Sequence, residues 1–196
     1  MINRICEHIS DFLIKEGLIT DKDRHIYSYL FSCIFEELLF DLITLIIGGI
    51  FHKLIISTLF LVTTLPLRYF AGGVHASTPL RCNILSYGIM LFVIFFPYTT
   101  FSNTNLFEYI IFFTCSVIIL VIAPVDTANK RLNEKDKYRL HKKAVITVIF
   151  VCIVQLILWY NKLTQYSETI TLSFLVCTIS LITGYIRNMI YDSQEY

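Results

Sequence analysis

Charge is what this sequence has least of. Asp, Glu, Lys and Arg make up 16% of the 196 residues, against 56% hydrophobic residues. A soluble domain carries about 25% charged residues, and the mean hydropathy here is +0.66. The deficit excludes an ordinary soluble globular domain and points to a bilayer as the solvent. Metal-binding and redox cysteine patterns are also missing. The six cysteines are Cys6, Cys33, Cys82, Cys115, Cys152 and Cys177, and none forms a CxxC pair. A zinc or thioredoxin-type site is therefore without support. Cys115, Cys152 and Cys177 lie inside apolar runs and read as small core residues. The first 25 residues hold no continuous apolar stretch, so no cleavable signal peptide is expected. There is no internal repeat and no low-complexity tract, and a single domain over 1–196 is expected. No cofactor, no metal and no nucleic-acid partner is expected.

What is present is a series of six apolar stretches, approximately 26–49, 53–69, 84–101, 106–123, 144–161 and 168–187. At about 1.5 Å rise per residue, about 18 residues is near the minimum for a membrane crossing. The expected fold is all-α, a polytopic membrane protein of about six transmembrane helices. Before them, Ile2, Ile5, Cys6, Ile9, Phe12 and Leu13 recur at helical spacing, with Asn3, Arg4, Glu7, Asp11 and Lys15 elsewhere on the wheel. This pattern over 1–16 fits an amphipathic helix, either lying flat at the membrane surface or packed on its own protein. With six spans, every Lys and Arg except Lys53 and Lys162 falls on the side of the termini. That bias puts both termini, segment 70–83 and segment 124–143 in the cytoplasm.

The second stretch runs into Arg68-Tyr69-Phe70-Ala71-Gly72-Gly73-Val74-His75-Ala76-Ser77-Thr78-Pro79-Leu80-Arg81-Cys82. An imidazole beside a thiol can take its proton, and the thiolate can attack a carbonyl. On one continuous helix His75 and Cys82 would stand about 10 Å apart along the axis. Proton transfer needs about 3 Å, so the chain must fold back between them. Gly72 and Gly73 permit unusual backbone angles and Pro79 interrupts a helix. A re-entrant type of segment between the second and third spans is therefore expected. The bland alternative is a His facing headgroups and an inert Cys.

Acidic residues are informative because they are costly at membrane depth. The first span carries Glu36, Glu37 and Asp41, which should face the protein interior or water. They fit a structural ion pair with Arg68, a polar cavity that orients His75, or a site for a cationic substrate. Asp126 stands at the cytoplasmic end of the fourth span. It can fix the tautomer of His75 as a third catalytic member, or merely form a turn. Ser77, Glu36 and Glu37 are the other candidates for assisting His75. Segment 124–143 is strongly basic, and Lys130, Arg131, Lys135 and Lys137 are candidates for meeting an acidic peptide tail or anionic lipid.

The run from Arg68 through Gly72-Gly73, His75-Ala76 and Cys82 resembles the signature of the accessory gene regulator B (AgrB) peptidases, membrane enzymes of quorum sensing in Gram-positive bacteria. Ala123-Pro124-Val125-Asp126-Thr127, followed by a basic segment, is similar to the family's second marker. Size, six-span layout and amphipathic start match as well. The resemblance implies a cysteine endopeptidase of the bacterial cell membrane, with Cys82 as nucleophile and His75 as general base. It implies an AgrD-like pro-peptide substrate with an amphipathic leader, a central signal sequence and an acidic tail. Cleavage would leave an acyl-enzyme thioester, which a Cys or Ser of the peptide attacks to close a thiolactone or lactone. Arg68 and Gly73 match functionally sensitive family positions, and the family acts as homodimers. The competing functions are a small transporter or peptide-export component built on Glu36, Glu37 and Asp41, and a non-catalytic membrane scaffold.

Overall fold

The computed structural model describes residues 2–73, 79–96, 105–126 and 133–194. Among them the regular structure is helical. Helix α1 (Ile2–Lys15) and a single 3-10 turn (Asp21–Asp23) precede α2 (Arg24–Ile50), α3 (Leu54–Ala71), α4 (Pro79–Phe95), α5 (Asn105–Ile122), α6 (Glu134–Tyr160) and α7 (Thr164–Gln194). Each expected apolar stretch overlaps one of the six helices α2–α7. Three of these, α3, α6 and residues Thr164–Ile190 of α7, are long and apolar enough to cross a membrane. Shorter apolar helices, Arg81–Phe95 and Leu106–Ile122, lie within α4 and α5. Helix α2 has the length, but Glu36, Glu37 and Asp41 interrupt its apolar sequence.

Three helices stop in the same way. The second residue past each takes a positive φ: Gly17 at 71°, His52 at 56° and Lys162 at 56°. The next N–H then reaches back: Leu18 to the Leu13 carbonyl at 3.0 Å, Lys53 to Gly48 at 2.7 Å, Leu163 to Leu158 at 3.0 Å. These Schellman stops satisfy last-turn carbonyls and turn the chain sharply. The tight α2–α3 and α6–α7 hairpins thereby share one end of the bundle. The C-terminal ends of α3 and α5 and the starts of α4 and α6 lie at the other end.

Helix α7 is the hub. Residues 167–174 are buried on every face, and α3, α4, α5 and α6 all pack on it. Its interior is rich in hydroxyls rather than bulk. Thr169, Ser173 and Thr178 return their O–H groups to carbonyls one turn earlier at 2.8, 2.7 and 2.8 Å. Small, internally satisfied side chains let neighbouring helices approach closely in a membrane protein. Apolar packing fills in around them. Leu67, Phe112, Val148, Phe174 and Leu181 form one cluster, and Ile56, Phe60, Met90, Ile94 and Leu172 another. The rings of Phe112 and Phe174 meet at 4.9 Å between centroids.

Of its two expected placements, helix α1 shows the packing on its own protein. It packs on α2, burying Cys6 and Ser10 while Ile5, Ile9 and Phe12 stay exposed. Arg24 clasps Asp11 with two hydrogen bonds, 2.6 and 3.0 Å. That bond holds the Asp11 carboxyl below the usual carboxylate range.

Two boundaries differ from the sequence expectation. Pro79 opens α4 instead of interrupting a helix, because the first helical position needs no N–H. Cys82 is consequently helical. Similarly, α6 starts at Glu134 after the extended Asn133, with Glu134 and Asp136 complementing the N-terminal dipole. Lys135, Lys137, Lys142 and Lys143, expected in a polar connection, are therefore on a helix.

Candidate functional site

The site begins where α3 ends. Gly72 takes φ 78° and ψ −156° and pairs in parallel with Val125 as an isolated bridge. The Val125 N–H donates to the Ala71 carbonyl at 2.9 Å. A Cβ on Gly72 would stand 2.5 Å from the Val125 carbonyl oxygen, so only glycine allows this approach. Gly73, at φ 150°, lies against α7, where a Cβ would stand 2.6 Å from Ser180 Oγ. The two stretches that stand out in the sequence, 68–82 and 123–127, are thus joined backbone to backbone at one end of the bundle.

Three side chains not expected from the sequence to serve this site brace that junction or line the space beside it. Asn188 Nδ2 donates to the Asp126 carbonyl at 2.6 Å. His141 Nδ1 lies 2.8 Å from the Ala123 carbonyl; a carbonyl only accepts, so Nδ1 carries the proton. Ser180 touches the Gly73 backbone and also lines the cavity described below. Their only sequence signal is a polar residue near the end of an apolar stretch. The carboxylate of Asp126 faces Lys137 Nζ at 3.8 Å, and Lys137 also approaches Glu134 at 3.5 Å. Lys137 is thus engaged by this chain's own acids. Lys135 is exposed. Nearby, Lys143 Nζ lies 5.1 Å from the Phe70 ring centroid, a cation–π contact.

Beside the junction opens a cavity of about 530 Å³ between α2, α3, α4 and α7. Its walls are mostly apolar, including Phe40, Phe60 and Ile89, and Arg68, Cys82 and Ser180 are among the polar residues, with Thr64, Ser86 and Thr183. The half-buried Cys82 sits in the first turn of α4. Helix N-termini carry partial positive charge, and an anion there is favoured. Arg68 adds a full positive charge to the same cavity. It also lies within electrostatic range of Asp41, as does Glu37. Glu36 is half-buried and Glu37 exposed. His75, Ser77, Lys130 and Arg131 lie outside the described residues. Among the described residues, no group of three or more His, Cys, Asp or Glu side chains could hold a metal ion.

Comparison with known proteins assigns the family. Residues 6–181 match the model of accessory gene regulator B. The chain belongs to the AgrB family. The match includes both stretches joined at Gly72 and Val125. An AgrB-like protein of Clostridium perfringens strain SM101 is 27% identical over 186 residues, covering 90% of this chain and 87% of that relative. A second AgrB-like protein, from C. perfringens strain 13, is 26% identical over 207 residues, covering 100% of this chain and 97% of its own. No solved structure matches this AgrB chain.

Proposed function

We propose that this AgrB protein is a membrane cysteine endopeptidase of quorum sensing, a single domain that cleaves an AgrD-like pro-peptide and cyclises it. The observation that carries the proposal is the cavity lined by both Arg68 and Cys82, beside the Gly72–Val125 junction. Cys82 is the nucleophile and His75 the base. The imidazole takes the thiol proton, and the thiolate attacks the carbonyl that joins signal to tail. The C–N bond breaks, the imidazolium returns its proton to the departing amine, and the tail leaves. A thiol or hydroxyl within the peptide then attacks the Cys82 thioester, giving its proton to His75 as the Cys82 thiolate departs. The ring closes and the enzyme is restored.

Water must be kept from the acyl-enzyme, because thioester exchange is close to balanced while hydrolysis is not. Apolar walls at a membrane boundary suit that requirement. Arg68 stabilises anionic charge in the cavity, and Gly72 and Gly73 hold the backbone beside it. Asp126, Ser77, Glu36 and Glu37 are the candidates for supporting His75. Lys130, Arg131 and Lys135 attract the acidic tail, and the exposed Ile5, Ile9 and Phe12 of α1 rest on the bilayer. The termini and this end of the bundle face the cytoplasm, and the protein works as a homodimer.

The test uses a synthetic pro-peptide with an amphipathic leader, an internal Cys and an acidic tail. The wild-type protein in vesicles should release the tail. Cys82→Ala and His75→Ala should insert normally and release none. Undiminished release by Cys82→Ala would refute the proposal.

A further inference from the structure

The cavity at Cys82 runs deeper than the cleavage step requires. Helix α3 ends at the Gly72–Val125 junction and α4 starts beside it. The far end of α4 reaches the hairpin end of the bundle, where Lys53 Nζ donates to the Ile94 carbonyl at 2.8 Å. Helix α7 returns to the junction, where Asn188 meets Asp126. Distance along each helix therefore measures depth. At about 1.5 Å per residue, the lining runs about 12 Å from Arg68 back to Phe60, and about 10 Å from Cys82 on to Ile89 or from Thr183 back to Val176. The three helices agree. The cavity is a slot about 10 Å long, with Arg68 and Cys82 at its mouth.

Its chemistry changes along that length. Among the described residues that line it, Arg68 carries the only charge. Phe60, Leu65 and Ile89 form the inner part, and Phe40 closes it from α2. The hydroxyls of Thr64 and Thr183 donate to the Phe60 and Ile179 carbonyls of their own helices at 2.7 Å each, so those protons are not offered to an occupant. A mostly apolar pocket with a few polar groups at one end binds an apolar group and fixes its orientation. The group at hand is set by the chemistry at the mouth. The side chain of the residue that supplies the scissile carbonyl branches from the carbon next to the reacting one. With that carbonyl at Cys82, the side chain stands at the slot's opening.

We propose, on the basis of the peptidase function above, that this slot is the specificity pocket for the last signal residue of the pro-peptide. It takes a bulky apolar side chain, and Ile89 and Phe60 set the size. The acidic tail, across the scissile bond, stays outside. A filled slot also displaces water beside the thioester and so favours ring closure over hydrolysis.

The full-length protein in vesicles would be given pro-peptides that differ only at that residue: Phe, Leu, Asn or Ala. The Leu peptide should show a kcat/KM roughly tenfold or more above that of its near-isostere Asn, and roughly 10- to 100-fold above Ala. The Ala peptide should also give a larger share of linear, hydrolysed product. Ile89→Trp should bring the Phe-to-Ala ratio toward unity. If Ile89→Trp does not fold, Ile89→Ala serves instead and should raise the ratio for a Trp peptide over the Leu peptide. On Cys82→Ala, a photoreactive diazirine analogue of leucine at the same position should crosslink to the slot-lining residues of α3 or α4. Cleavage of all four peptides at rates within about twofold, Ile89 variants with wild-type ratios, or crosslinks elsewhere would overturn the pocket and leave the peptidase standing; a lipid acyl chain filling the slot would give this result. Cleavage of none of the peptides by the wild type would overturn the peptidase function, and the pocket with it.

Discussion

Replacing Gly72 by Ala is the sharpest structural perturbation available. At φ 78° and ψ −156°, a residue with a Cβ is strained by about 1–3 kcal/mol. The new methyl would also lie 2.5 Å from the Val125 carbonyl oxygen, which is backbone and cannot rotate away. Relief requires the strands of the bridge to part, and that sacrifices the Val125-to-Ala71 hydrogen bond, worth about 1 kcal/mol. The expected loss is about 2–4 kcal/mol, or a Tm lower by roughly 5–12 °C for a chain of this size. Unfolding can be followed by Trp159 fluorescence in nanodiscs. Gly49→Ala is the matched control, because a Cβ there meets nothing within 4 Å; it should be neutral or mildly stabilising. Gly73→Ala provides a contrast. Its neighbour is the Ser180 hydroxyl, so Ser180→Gly should partly rescue Gly73→Ala and leave Gly72→Ala unrescued. A Gly72→Ala protein with wild-type Tm would refute the reasoning that this junction depends on glycine.

Other outcomes follow from the same contacts. Asn188→Leu removes the donor to the Asp126 carbonyl and should cost about 1 kcal/mol, with a larger loss in tail-cleavage rate than in pro-peptide affinity. Phe174→Ala, in a fully buried position packed against Phe112, should cost about 3–5 kcal/mol, read as a fall in Tm. The Asp11–Arg24 pair should make α1 acid-sensitive. Because Asp11 titrates lower in the folded protein, its contribution is present above the unfolded value of about 3.9 and is lost as pH falls through the lower folded value. Hydrogen exchange of α1 amides should rise over that interval, and Asp11→Asn should remove the dependence.

Much of this architecture is legible along the chain because membrane helices advertise themselves by apolar length. The six stretches recur as α2–α7, and the spacing of Ile2 to Leu13 recurs as α1. Periodicity says nothing, however, about which ends meet. The pairing of Gly72 with Val125 joins residues far apart in sequence through backbone atoms, and no side-chain pattern encodes it. Pro79 was ambiguous for a local reason: the same ring that breaks a helix interior suits its first turn. The charge of Lys135 to Lys143 suggests a linker, whereas Asn133, Glu134 and Asp136 supply an ordinary helix start. Arg68 and Cys82 were both candidates, yet their common cavity depends on how α3 and α4 pack. Glu108 is conspicuous only after Gln155, Trp159 and Thr171 are seen to converge on it.

The most direct test of the cysteine peptidase account is the intact mass of the protein during turnover. Wild-type protein mixed briefly with the tailed pro-peptide and quenched in acid should gain the mass of the leader plus signal, without the tail. The adduct should map to Cys82, be cleaved by hydroxylamine as a thioester, and be absent from Cys82→Ala. Tail release with no adduct at Cys82, or an adduct on another cysteine, would contradict the account.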